Sequence, residues 1–240
     1  QGRRAQVVAV NAAAAAFFTA QLPEARGAVD FLESRGFPAE VWDQFGVGYA
    51  PRQGLVAHLR GQGFSQEAIV ASGVAGQGEG RTYDRFRDRV TWPIRDVSGD
   101  IVGFGARRLA DDAGPKYLNT PETVAYKKSQ VLYGVYEARR TIAKEHRVVV
   151  VEGYTDVMAC HLAGVDTAVA TCGTAFGEGH VRVLRRLLLD DASAQVVFTF
   201  DGDAAGRKAA LRAYEEDQQF AARTYVAIAA DNLDPCDLRL

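Results

Sequence analysis

Residues that build covalent or soft-metal frameworks are scarce in this sequence. Cysteine occurs three times, at Cys160, Cys172 and Cys236. With no Cys-x-x-Cys pair and an odd count, neither a zinc ribbon nor a disulfide scaffold is expected, and the three read as reduced thiols. The four histidines, His58, His146, His161 and His180, show no ligand spacing and are expected to be structural. Long apolar runs are missing too. The longest, Ala12 to Ala20, is mostly alanine and falls well short of the roughly 20 residues that span a bilayer, so no membrane segment is expected. Nothing near the N-terminus combines a basic region, an apolar stretch and a cleavage site, which makes the cytoplasm the expected location. No Gly-Lys-Ser/Thr follows a glycine cluster, which excludes a P-loop. The chain starts at Gln1 rather than methionine, as expected of a piece of a longer protein.

What is present supports a folded protein: 240 residues with 48% hydrophobic content can enclose a sizeable core in one large domain or two modest ones. The net charge of −2 hides a division. Residues 1–80 carry 6 basic and 7 acidic side chains, residues 81–150 carry 14 and 9, and residues 151–240 carry 8 and 14. A basic middle therefore adjoins an acidic end. Solvated surfaces of mixed sign explain this as well as a polyanion-binding face beside metal-holding carboxylates does.

The first 75 residues carry helical patterns over 5–21 and 24–34, with shorter amphipathic segments at 38–45, 55–60 and 65–71. Gly73, Gly76, Gly78 and Gly80 then read as a flexible connection. Two strand-like runs, 90–94 and 101–104, flank the turn Ser98-Gly99-Asp100 and predict a hairpin. Beyond Val135 the period alternates: helix 135–145, strand 148–151, helix, strand 167–171, helix 177–189, strand 196–200, a long helix 204–220 and a strand near 225–228. The fold expected is α/β, with a helical and mixed N-terminal subdomain (1–134) followed by a mostly parallel, Rossmann-like sheet flanked by helices (135–240). In such sheets ligands bind beyond the carboxyl ends of the strands.

Those ends carry acids. Glu152 follows one valine strand in Glu152-Gly153-Tyr154-Thr155-Asp156, and Asp201-Gly202-Asp203 follows another. Asp201 and Asp203, two residues apart in an extended segment, point the same way and form a hard-oxygen pair suited to Mg²⁺ or Mn²⁺. A calcium loop fails, because Arg212 occupies the twelfth position where a bidentate glutamate is required.

The pairing of Glu152 with Asp201 and Asp203 resembles the Toprim fold of bacterial primases, topoisomerases and some nucleases. The stretches Tyr83-Asp84-Arg85-Phe86-Arg87-Asp88-Arg89, Gly103-Phe104-Gly105-Ala106-Arg107 and Pro115-Lys116-Tyr117-Leu118-Asn119-Thr120-Pro121 resemble the N-terminal half of the DnaG-type primase core. The resemblance covers essentially the whole chain. It implies an enzyme that makes short RNA primers on single-stranded DNA by nucleotidyl transfer, using two or more Mg²⁺ or Mn²⁺ ions and no zinc within these residues. Its implied ligands are the single-stranded DNA template, ribonucleoside triphosphates and the primer–template hybrid, with no membrane involved and a place at the nucleoid and replication fork. Replicative helicase and single-stranded DNA-binding protein are implied partners, reached through regions outside this sequence.

By the same resemblance Glu152 is catalytic, as a metal ligand or a proton acceptor, while Asp201, Asp203, Asp234 and Asp156 hold metal. The family's third acidic motif, Asp-Pro-Asp, is interrupted here as Asp234-Pro235-Cys236-Asp237, which favours Asp234 over Asp237. Arg87, Arg107, Lys116 and Asn119, extended by Lys127 and Lys128, form the implied surface for DNA and nucleotide. A basic ensemble suits that task, because each phosphate contact releases counterions; any single arginine there is equally compatible with a surface ion pair. Two other readings use the same residues: a Toprim nuclease or topoisomerase, and a non-catalytic single-stranded DNA-binding module.

Overall fold

The computed structural model describes residues 2–110, 114–200, 222–228 and 233–239. The chain divides into two compact units, Gln1–Lys127 and Lys128–Leu240. The division expected after residue 134 falls beyond this one, and the two-residue strand Leu132–Tyr133 pairs within the second unit's sheet.

Unit one is built on a four-stranded antiparallel sheet. Its strands are β1 (Gly48–Ala50), β4 (Arg89–Arg95), β5 (Ile101–Arg108) and β6 (Tyr117–Asn119), in that spatial order. Pro93 in β4 lacks an N–H, yet β1 pairs only with Arg89 to Thr91, so no donor toward that neighbour is lost. Helix α1 (Arg3–Gln21) lies on β1 and β5, with α4 (Leu55–Gly61) and α5 (Gln66–Ala71) beside it. Val7, Val10, Ala14 and Phe18 form its buried stripe. The segment Arg3–Glu24 has the length and apolar composition of a membrane span, contrary to the sequence expectation, and 39% of its apolar window is buried inside the protein, the core-facing stripe included. Its end approaches β1 so closely that a Cβ on Gly48 would stand 2.6 Å from the Phe18 carbonyl carbon. The core beneath is aromatic: Phe18 meets Phe104 edge-on at 5.4 Å and Phe86 at 6.4 Å.

Helices α2 (Arg26–Ser34) and α3 (Ala39–Phe45) complete the first helical set. The helix expected from Glu24 begins two residues later, because Leu22–Glu24 is a 3₁₀ turn that breaks at Ala25. The glycine-rich stretch differs more. It is no loose connection but a hairpin, β2 (Ala75–Gly78) paired with β3 (Arg81–Asp84), and the outer end of the Tyr83 ring lies over Gly76 where any Cβ would collide. Asp84 ties this hairpin to α4, its two carboxylate oxygens accepting from Leu55 N and Val56 N at 2.9 Å each.

Unit two is the expected alternating region. Its sheet contains β7 (Leu132–Tyr133), β8 (Arg147–Val151), β9 (Ala168–Thr171), β10 (Gln195–Phe200) and β11 (Arg223–Ile228), in the order β11-β10-β8-β9-β7. Every pairing is parallel except β7 with β9. The near-continuous valines of β8 reflect cover on both faces. On one face α6 (Val135–Glu145) and α8 (Glu178–Leu187) pack Ile142, Val181 and Leu184 against Val148, Val150, Val196 and Phe198. Each such fully buried side chain contributes roughly 1.5–3 kcal/mol relative to exposure. Between β8 and β9 runs α7 (Tyr154–Leu162), and the short helix Pro235–Arg239 packs against it. The helix expected over 204–220 lies outside the described residues.

Candidate catalytic edge and nucleic-acid surface

Parallel pairing of β8 with β10 brings the carboxyl ends of these two strands to one edge of the sheet. Val150 pairs with Phe198, and the Thr199 hydroxyl donates to the Val150 carbonyl at 3.1 Å, so the two strands leave the sheet side by side. Glu152, exposed, is the first residue beyond β8. Asp201 and Asp203, the residues expected beyond β10, lie outside the described residues.

The turn after Glu152 is closed by Asp156. Its Oδ2 accepts from Gly153 N at 2.9 Å at the start of α7, and the residue is 7% exposed. A carboxylate in the first helical turn complements the partial positive charge of the helix N-terminus. Asp156 thus shapes the loop that carries Glu152, whatever else it binds. One turn on, Cys160 has its thiol pushed up to about 11, first by burial and then by the negative charge of Asp156. Asp234 stands at the start of the terminal helix, where its Oδ1 accepts from Asp237 N at 2.7 Å. Asp237 therefore contributes its backbone to this cap, and Cys236 between them is fully buried. Among the described residues no three His, Cys, Asp or Glu side chains form a metal-holding group. The described acids of this edge are all carboxylates, the donor class that fits Mg²⁺ or Mn²⁺.

His180 is structural, as the sequence suggests. Nδ1 accepts from Gly177 N at 3.1 Å and Nε2 faces the Lys128 carbonyl at 2.8 Å, which requires the neutral ring with its proton on Nε2. Burial holds its pKa below the ordinary histidine value.

The expected basic residues separate into groups. Phe104 and Ala106 face α1, so by strand alternation Arg107 points to the opposite face, where its guanidinium lies 4.2 Å from the centre of the Phe31 ring of α2. Arg35 approaches the same ring at 6.0 Å. Arg107 pairs across the ladder with Tyr117, and Gly105 with Asn119, so Arg107, Tyr117 and Asn119 share one face of the sheet. Lys116 is exposed just before β6, its carbonyl accepting from Arg108 N at 3.0 Å. Arg87 lies elsewhere, beside Tyr83 of the hairpin. Lys127 is exposed at the end of unit one, and Lys128 opens unit two.

Phe31, Arg35 and Tyr117, which lie around Arg107, were not among the residues expected from the sequence. The i,i+4 spacing of Phe31 and Arg35 on a helix was a usable signal, and Tyr117 sat within a stretch already singled out.

Residues 17–139 match the family described as DNA primase catalytic core, N-terminal domain, and residues 146–228 match the Toprim domain. The chain is 59% identical to the DNA primase of Streptomyces coelicolor across 100% of its own length and 38% of that protein's. It thus spans about two fifths of this curated relative. Among solved structures, the RNA polymerase domain of Mycobacterium tuberculosis primase DnaG superposes with a TM-score of 0.93 at 52% identity, covering 98% of this chain and 79% of that one. The same domain in complex with a double-stranded DNA oligomer bearing a 6-nucleotide overhang gives 0.91 at 52% identity, over 98% and 76%. With both family models matched in chain order and the same fold in these relatives, the chain belongs to the DnaG-type bacterial DNA primases, whose catalytic-core region it represents.

Proposed function

We propose that this chain is the nucleotidyl-transfer core of a primase, joining ribonucleoside triphosphates into a short RNA primer on single-stranded DNA at the replication fork in the cytoplasm. The observation that carries the reading is the placement of Glu152 at the carboxyl edge of β8 with β10 as its parallel neighbour, in a chain of the primase family.

Glu152 ligates a metal or accepts the proton of the attacking 3′-hydroxyl. Asp201, Asp203 and Asp234 complete the donor set, and Asp156 holds the Glu152 loop and lends its second oxygen to the shell. Bound Mg²⁺ or Mn²⁺ ions supply charge neutralisation for the triphosphate and lower the pKa of the nucleophilic hydroxyl. Arg107, Lys116 and Asn119, with Tyr117 and Arg35, track template and nucleotide phosphates and offer aromatic surface for bases, and Lys127 and Lys128 extend the positive charge. The primer–template hybrid is held by the same groups. Helicase and single-stranded DNA-binding protein engage regions of the longer protein outside this chain.

The test is incorporation of labelled ribonucleotides on a single-stranded template, with and without Mg²⁺ or Mn²⁺. Metal-dependent oligoribonucleotides are expected. Strand cutting in their place identifies a nuclease, and metal-independent DNA binding with neither reaction leaves a binding module.

A further inference from the structure

Unit one contains a cleft of about 600 Å³ between the start of α4 and the β2–β3 hairpin, lined by Arg52, Arg60, Arg87, Thr82, Tyr83 and Gln53 among others. It belongs to the α1–α4 side of the sheet, whereas Arg107 and Phe31 lie on the α2 side. We propose that this cleft is a second nucleotide-binding subsite, taking a phosphate on Arg52, Arg60 and Arg87 and an aromatic base against Tyr83.

Two observations support the assignment. Three arginines, Arg52, Arg60 and Arg87, outnumber the cleft's one lining acid, Asp84, whose oxygens accept from Leu55 N and Val56 N. The arginines are lightly engaged: Arg52, 82% exposed, reaches Asp88 only at 3.8 Å, Arg60 donates to the neutral Gln66 amide, and Arg87 donates to the Asp84 carbonyl.

The choice of a nucleotide over a bare phosphate follows from shape and chemistry. The volume matches small-molecule sites, and Tyr83 is 43% exposed, pinned over Gly76 with the Arg87 guanidinium 5.3 Å from its ring centre. That is a preformed aromatic and cationic surface of the kind on which bases stack. The nucleotide is part of a DNA strand or a free nucleoside triphosphate. The proposal rests on the primase reading for its choice of ligand.

The experiment measures binding of fluorescein-labelled oligothymidine and of ATP to the chain across a salt series. Variants are Arg52→Gln with Arg60→Gln, Tyr83→Ala, Tyr83→Phe and, on the other surface, Arg107→Gln. For a strand segment, the double variant flattens the log–log salt slope for oligothymidine by about 1.4, from about 0.7 per lost contact. Tyr83→Ala then weakens binding roughly five- to a hundredfold, while Tyr83→Phe restores it. If ATP alone loses affinity in these variants, the ligand is the free nucleotide and the subsite stands. The proposal is overturned if every cleft variant binds both probes as wild type does. Loss in Arg107→Gln alone then leaves the primase reading intact, whereas a wild-type chain that binds neither probe sinks both.

Discussion

Gly48→Ala tests whether the close approach of α1 to β1 holds unit one together. On propensity alone the change is favourable, because glycine in a strand costs roughly 0.5–1 kcal/mol relative to alanine. The added Cβ would stand 2.6 Å from the Phe18 carbonyl carbon and 2.9 Å from its oxygen, where ordinary contact begins near 3.4 Å. These are backbone atoms and cannot rotate aside, so the end of α1 must move outward by about 0.8 Å, the shortfall between those distances. Overpacking of this kind typically costs 1–3 kcal/mol. The same shift loosens Phe18 from Phe104 and Phe86, edge contacts worth about 0.5–1.5 kcal/mol each. The net expectation is destabilisation by about 1–3 kcal/mol, read as a lower urea midpoint with unchanged slope. A midpoint equal to or above wild type means that the helix end is not seated as described and that propensity decides the sign.

Glu152→Gln keeps shape and removes charge, so primer synthesis should fall at least about 100-fold with DNA affinity unchanged; activity within a fewfold of wild type removes Glu152 from the chemistry. Arg107→Gln should weaken oligothymidine binding and reduce its salt slope by about 0.7, and an unaltered slope would assign Arg107 to its Phe31 contact alone. For His180 the folded pKa is depressed, so the unfolded chain takes up the proton first as pH falls through about 6.5. Unit two is thus expected to be most stable above that value and to lose up to about 1.4 kcal/mol per pH unit below it, until the folded group also titrates. His180→Gln should flatten the fall in urea midpoint between neutral and mildly acid pH; equal pH dependence in both proteins would place the titration elsewhere.

Much of this was legible in the sequence because it rests on local periodicity. Helix Val135–Glu145 and the valine strand at 147–151 follow from a 3.6-residue stripe beside an apolar run, and strand topology then puts Glu152 at the carboxyl edge of the sheet. The same reading failed where pairing is non-local. The three-residue strands Gly48–Ala50 and Tyr117–Asn119 are too short to show alternation and exist because β4 and β5 offer them partners. The glycine-rich stretch misled for a related reason: its glycines look like a spacer until Tyr83, on the opposite strand, requires one of them. Arg87 lies beside Tyr83 of the hairpin and Arg107 beside Phe31 of α2, a separation that positions along a sequence do not show.

The strand order of the second sheet has a kinetic consequence. Val150 and Thr199 touch across β8 and β10 although 49 residues separate them, since β9 is laid on the far side of β8 before the chain returns. Closing a loop of that length costs roughly 3 kcal/mol in chain entropy, whereas the β4–β5 hairpin forms across a short turn. During synthesis or refolding the hairpin is expected to pair early and the β8–β10 edge late, because low-contact-order elements form first. Until β10 docks, the strand that carries Glu152 lacks its parallel neighbour on that side.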